Sequence, residues 1–365
     1  MEELNRNWQW MRVYYYDRNK DRLLLDAIEP TMRRMMRLYP ACRWYFQREW
    51  HRGPNILIGT HAGVHEHAAA ETIAGSISAY LEQYPSNQSI LDSEYRRVNQ
   101  RVERWEGKTT GSGLPCRPNN TIFGKEPEPE HLFLVDPLLK HTCWEFLASA
   151  TPYILNWLSC VGKDRVRRDA IAMTLMIMIV WLADRDELRP YTSFCSHADG
   201  FIRATDVDTS IRTTFERAYA GLRGQKIRAL IGETVSRLED GAQEHFPGEK
   251  SFSELLAKTL RHVFEGIREK SMRPVEASAF FSNQAPSAEN ASMIKTMNEC
   301  HEWRAWQITI SLFYQTLNQL GISAAERFLA CYLLGRGVED VYGHDRDQLL
   351  HRINTNPASI FSFAR

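Results

Sequence analysis

The stretch Trp303–Leu320 (WRAWQITISLFYQTLNQL) carries the most suggestive chemistry in the chain. Trp303, Trp306 or Gln307, Ile310 and Tyr314 recur every three or four residues, so they share one face of a helix. An ordinary core stripe has the same spacing. What sets this one apart is Tyr314, because a buried phenol needs a hydrogen-bond partner and can serve as a general acid.

Other constellations carry less. His61, His65 and His67, with Glu66 between them, invite a metal, but they lack HExxH spacing, and on a helix positions 65 and 67 face apart. Solvated histidines at a helix start explain them, and no metal site is expected. Ser193–Phe201 (SFCSHADGF) gathers serine, cysteine, histidine and aspartate, yet adjacency in sequence does not orient a nucleophile against its base. A loop leading into a helix is the expectation there. Gly53, Gly59 and Gly63 do not make a GxGxxG loop, and no GxxxxGK[ST] cradle is present, which disfavours nucleotide binding through these signals. Arginines cluster at Arg33, Arg34 and Arg37, at Arg43, Arg48 and Arg52, at Arg96, Arg97, Arg101 and Arg104, and at Arg165, Arg167 and Arg168. Most such runs are solvated helix faces; an acidic peptide is the alternative ligand.

The elements that would position these groups begin with an aromatic strand, in which Trp8, Trp10, Arg12, Tyr14 and Tyr16 alternate with Gln9, Met11, Val13 and Tyr15. Asp21–Leu38 has helical spacing with a possible kink at Pro30. Cys42–Trp50 reads as a second strand, Arg52-Gly53-Pro54 as a turn and Asn55–Thr60 as a third strand. Helices are expected over 69–83 and 94–105, with Gly107 as a stop, before a long surface loop or lid at Gly107–Glu130 that holds a short strand at Asn120–Phe123. Further helices are expected near 137–160, 165–184, 210–240, 251–271, 300–320 and 323–336. This pattern predicts an α+β fold, with a small aromatic N-terminal sheet packed with a larger, mainly helical part. A single domain over 1–365 is expected, with 1–135 containing the sheet and 136–365 mainly helical.

With 365 residues and 43% hydrophobic content the chain can fill a real core. Lys plus Arg equals Asp plus Glu at 45 each, so no global field favours nucleic acid or an anionic membrane. Seven scattered cysteines without a CxxC pair point to free thiols and a cytoplasmic setting. No secretion signal is expected at the N-terminus. The apolar stretch Ile171–Ala183 falls short of the roughly 20 residues of a membrane span and reads as a buried helix.

Taken in order, several segments resemble the C-terminal elimination domain of class I lantibiotic dehydratases and the thiopeptide enzymes built on the same fold. WQWMRVYYYDRNKDRLLLDAIEPTM resembles the family opening, and YFQREWHRGPNILIG its next two strands across a Gly-Pro turn. RPNNTIF, HTCWEFLASATPYIL, SFCSHADGFI and SLFYQTLNQLGISAAERFLACYLL match later landmarks. The resemblance covers nearly the whole chain, and the shared order of individually loose motifs carries it.

Two departures choose the branch. Elimination enzymes of the family carry arginines in the third strand, in a pattern like PHIRLR, to hold the glutamyl ester; here Pro54–Gly59 reads PNILIG, with Leu57 and Gly59 at those places. Their HMHxNR histidine corresponds to the stretch Tyr314–Gln319, YQTLNQ. Without clamp and base, transition-state stabilisation for ester expulsion is lost. The resemblance then implies the pyridine synthase branch, a formal [4+2] cyclase that joins two dehydroalanines of a ribosomal precursor and expels water and the leader peptide. A chain without room for a glutamylation domain fits the same branch.

For that reaction the resemblance implies no cofactor, and a modified precursor peptide, together with other maturation enzymes, as partners. Position and type nominate Tyr314 as hydrogen-bond donor or acid to the iminol or hemiaminal oxygen, with Ser311 and Gln307 assisting. Trp303 or Trp306 would stack on azoles or the nascent ring, and Glu94, Glu103 and His197 would be further polar contacts. Leader recognition is expected at the aromatic sheet, by strand addition or a groove lined by Arg43 and Arg48. Two rivals stay open: a stand-alone glutamate-elimination subunit of a split dehydratase, and a non-catalytic precursor-binding partner. Arg and His side chains in the site's cavity that compensate for the missing clamp and base, or the lack of a cavity roomy enough for a looped chain, would overturn the cyclase.

Overall fold

The computed structural model describes residues 8–61, 63, 66–106, 115–126, 136–205, 209–241, 244–274 and 295–363. They form an α+β fold divided into two compact units, one comprising 1–165 with 318–321 and the other 166–317 with 322–365.

The first unit is built on a four-stranded antiparallel sheet of order β2-β3-β1-β4. Its strands are β1 (Trp8–Tyr14), β2 (Arg43–Glu49), β3 (Asn55–His61) and β4 (Thr121–Glu126). Trp8 pairs with His61 and Tyr14 with Asn55 across β1 and β3, while Arg43 pairs with His61 across β2 and β3. The alternating pattern of β1 suggests one wet face, but almost every residue of the strand is buried. On one side Trp8 and Trp10 both lie against Trp144, with centroids 5.9 and 5.2 Å apart, and on the other Met11 and Val13 are buried as well.

Between β1 and β2 a π-helical segment, Leu23–Ile28, runs into α1 (Glu29–Leu38). The Glu29 amide donates to the Leu24 carbonyl, the wider i→i−5 spacing. Pro30 therefore sits in the first turn of α1, where its missing N–H costs little. Three further helices complete the unit: α2 (Glu66–Gln83), α3 (Asp92–Glu106) and α4 (Pro137–Gly162), the last capped by Asp136 and packed on β2. Gly107 and most of the segment expected as a lid lie outside the described residues.

Gly59 has a packing reason of its own. A Cβ there would run into the ring of Tyr45, whose hydroxyl accepts a 2.9 Å hydrogen bond from the Trp10 indole. Leu57 is fully buried beside it. Gly59→Ala is expected to destabilise the protein by about 1–3 kcal/mol through overpacking. A urea unfolding midpoint that does not move would show that Tyr45 can step aside at no cost.

The second unit is helical: α5 (Arg168–Ala183), α6 (Thr192–Thr205), α7 (Ser210–Tyr219), α8 (Leu222–Asp240), α9 (Glu249–Arg268), α10 (His301–Leu320), α11 (Ala324–Tyr342) and α12 (Arg346–Thr355). The last turn of α10 clusters with the first unit. The helix expected over 210–240 breaks at Gly221, which takes a left-handed φ of 67° and starts α8. α5 is buried along nearly its whole length, and among the described residues no helix is long and apolar enough to cross a membrane. All seven cysteines are free.

Candidate active site

The stretch expected as a loop, Ser193–Phe201, lies inside α6. Its buried residues Phe194, Cys195, Ala198, Phe201 and Ile202 fall on one helical face, and that apolar stripe overrides the weak helix propensity of Ser, Asp and Gly. The result is a fixed position for His197. On α10, Trp303, Ala305, Trp306, Ile308, Ile310 and Phe313 are buried, while Gln307, Ser311 and Tyr314, at i, i+4 and i+7, form a half-buried polar stripe. α11 begins with a capping box between Ser323 and Glu326, which sets the phase of Arg327 and Cys331 one turn apart.

These three helices converge on the Tyr314 hydroxyl. It lies 2.6 Å from Nδ1 of His197 and 3.4 Å from Sγ of Cys331. The Arg327 guanidinium stands 4.7 Å from the centre of the Tyr314 ring. Burial pushes the His197 pKa down from 6.5 to about 4, and the neighbouring Arg327 charge adds to the fall. The Tyr314 pKa is held well above 10 by burial, with Cys331 contributing. The imidazole and the phenol are thus both neutral near pH 7. A phenol donates more readily to an imidazole nitrogen than to sulfur, which favours Tyr314 O–H donating to Nδ1, with the Cys331 thiol donating to the phenol oxygen. The opposite tautomer makes the phenol a donor toward a ligand, with Nδ1–H donating behind it. Interconversion of the two is what a proton relay needs.

A titration test follows from this geometry. Because the folded value near 4 lies below the ordinary 6.5, the unfolded chain binds the proton first as the pH falls. The contribution to stability is complete above pH 6.5 and is lost on acidification toward pH 4. His197→Gln is expected to flatten that acid slope, read as the urea midpoint at several pH values; an unchanged slope would contradict a buried neutral imidazole.

The remaining sequence candidates divide. Ser311 donates to the Gln307 carbonyl at 2.8 Å, and the Gln307 Oε1 is buried with no partner among the described residues. Gln307 shares the Tyr314 face of α10, with that oxygen enclosed. Trp303 and Trp306 point elsewhere: both are buried against Phe361, and the Trp306 indole donates to the Ser193 hydroxyl at 2.6 Å. With no open ring face they hold α10 in place, a correction to the stacking role expected of them. Glu94 is exposed in the first turn of α3, and the side chain of Glu103 lies outside the described residues. Arg43 is exposed on β2. Arg48 is engaged: its guanidinium holds Asp21 at 2.6 Å and donates to the Gln319 carbonyl, while its backbone N–H and C=O are both paired with the Asn318 amide. Gln319 donates to the Phe46 carbonyl at 2.8 Å. Asn318 and Gln319 thus occupy the free edge of β2 from Phe46 to Arg48, leaving no room for strand addition there.

His61 closes β3 with its ring 5.7 Å from that of Trp8, and His65 lies outside the described residues. Among the described residues no three His, Cys, Asp or Glu side chains converge as metal ligands would. Cys331 and Arg327 were not among the sequence candidates; their i, i+4 spacing in ERFLACYLL shows a shared helix face but not what it meets. A groove of about 700 Å³ in the second unit is lined by Trp181, Arg185, Arg237, Glu249 and Arg261 and includes none of the Tyr314 cluster.

The family described as lantibiotic biosynthesis dehydratase, C-terminal, matches residues 8–338, and the chain belongs to it. Among solved structures, the pyridine synthase TbtD from thiomuracin biosynthesis superposes with a TM-score of 0.72 at 22% identity, covering 92% of this chain and 99% of that one. TsrL superposes with a TM-score of 0.62 at 16% identity, covering 94% and 97%. At these identities the likeness is one of fold. No curated protein matches the sequence.

Proposed function

We propose that this chain is a pyridine synthase working in the cytoplasm on a ribosomally made precursor with a leader and two dehydroalanines. One dehydroalanine, with the preceding amide as its iminol, forms a 2-azadiene; the other is the dienophile. Ring closure gives a hydroxylated tetrahydropyridine, and loss of water and of the leader as a carboxamide gives the pyridine. The leaving groups carry the oxidation state, so the reading needs no cofactor. The observation that carries it is the neutral Tyr314–His197 pair, 2.6 Å apart, on a partly open helix face of a family member.

The chemistry asks for proximity first. Holding two alkenes in contact can supply roughly 7–11 kcal/mol. Tyr314 then gives its proton to the amide oxygen and takes the Nδ1 proton of His197, and the proton released by the amide nitrogen returns through solvent to the imidazole, so the iminol forms with no net proton change; Gln307, on the same helix face, assists. The looped chain lies across this face, and exposed Arg43, rather than the engaged Arg48, meets the leader.

Glutamate elimination is the second reading, favoured by one observation: a histidine and an arginine do gather at Tyr314. An imidazole with a pKa near 4 is a weak base for removing an α-proton, which sets this reading behind the first. Incubating the purified chain with a bis-dehydroalanine precursor and, separately, with a glutamylated one tests both. Loss of water plus leader mass supports the cyclase, loss of glutamate replaces it with the lyase, and binding without mass change replaces both with an adaptor.

A further inference from the structure

Arg327 sits in the first turn of α11, its guanidinium between two rings, 4.7 Å from the centre of Tyr314 and 5.0 Å from that of Phe328. Phe328 is stacked on Phe201 at 4.5 Å, which fixes one wall of the slot. Ring faces attract a cation, but they leave its in-plane N–H donors unused. Nε of Arg327 is buried without an acceptor, and no carboxylate pairs with the guanidinium among the described residues. Several acids of the neighbouring elements hold other partners. Asp199 on α6 and Glu339 on α11 hold Arg346, Glu339 also holds Arg336, and Glu326 closes the cap on Ser323. Among the described residues, the groups that meet Arg327 are neutral: His197 from α6, Tyr314 from α10 and Cys331 from its own helix. A partly buried cation beside neutral donors and acceptors leaves its charge uncompensated, a costly arrangement unless a ligand completes it.

We propose that Arg327 anchors an anion site that takes a planar carboxyl-type oxyanion against the Tyr314 hydroxyl. The fork of a guanidinium matches two such oxygens, or an oxygen and a neighbouring acceptor, better than an ammonium does. Two sources supply that chemistry: an amide oxygen gaining charge as its N–H proton leaves, or a carboxylate. The site itself stands apart from the cyclase reading; only its use on an amide oxygen rests on that reading.

The test uses the full chain with its histidine rings labelled by nitrogen-15, the His197 signal being identified by its loss in His197→Gln. Sodium acetate is titrated in at constant ionic strength. Filling the site screens Arg327 from the imidazole, so the His197 pKa is expected to rise saturably with acetate. In Arg327→Met that pKa is expected to be higher without acetate, and acetate affinity to fall about 10- to 100-fold, as for loss of charge-assisted hydrogen bonds. Arg327→Lys, checked for folding by near-ultraviolet circular dichroism, should retain weakened binding. A His197 signal that ignores acetate, or that responds alike in the wild type and Arg327→Met, overturns the site. Turnover of the bis-dehydroalanine precursor then separates the sources: a fall in kcat with Arg327→Met assigns an amide oxygen, and unchanged turnover with lost acetate binding assigns a carboxylate. A chain that never cyclises the precursor leaves the acetate result standing.

Discussion

Tyr314→Phe is expected to lower turnover of a bis-dehydroalanine precursor by about 10²–10⁴-fold, the range spanned by loss of a positioned acid. The ring remains, so its contact with Arg327 and its packing near Phe194 persist. Only the hydroxyl is removed, and with it the partner of His197 and Cys331. KM should change little, as expected when the group removed acts in the transition state rather than in ground-state binding. The readout is the rate at which the mass of leader plus water disappears, with circular dichroism confirming the fold. Turnover equal to wild type would remove Tyr314 from the mechanism.

The second large effect concerns stability. Arg12 is buried in β1, cross-strand from Leu57, and its guanidinium pairs with Glu49 and Glu126 and donates to Asn55 at 3.2 Å. Arg12→Met strands two carboxylates in the sheet and is expected to cost about 3–5 kcal/mol. Urea unfolding measures this directly. Activity per folded molecule should survive, because Arg12 is sealed by its acids and unable to hold an ester. A variant as stable as wild type would mean that Glu49 and Glu126 reach water once released.

The sheet was legible because its code is local. Aromatic and branched residues at period two, broken by Gly53-Pro54, place β1, β2 and β3 within a residue or two of where they lie. The helix around Tyr314 was equally plain. Its inner and outer faces were not, since Trp303 and Tyr314 both fit a stripe and only the surrounding helices decide which side is wet. His197 was recognised as a polar candidate, but its helix was missed because Ser, Asp and Gly speak locally for a loop while Phe194, Ala198, Phe201 and Ile202 speak for tertiary burial. Arg327 and Cys331 escaped notice because their meaning lies in a partner on another helix, a contact that no spacing along one segment encodes.

The cluster also bears on self-inactivation. Dehydroalanine is a Michael acceptor, and a thiolate beside it would add to the alkene and tether enzyme to substrate for good. Burial holds the Cys331 thiol up at about 11, so roughly one molecule in ten thousand is ionised at neutral pH. Cys42, Cys116, Cys143, Cys195 and Cys300 are likewise shifted upward. Under the proposed reaction, sulfur kept in its unreactive form would be a safeguard as much as a packing choice.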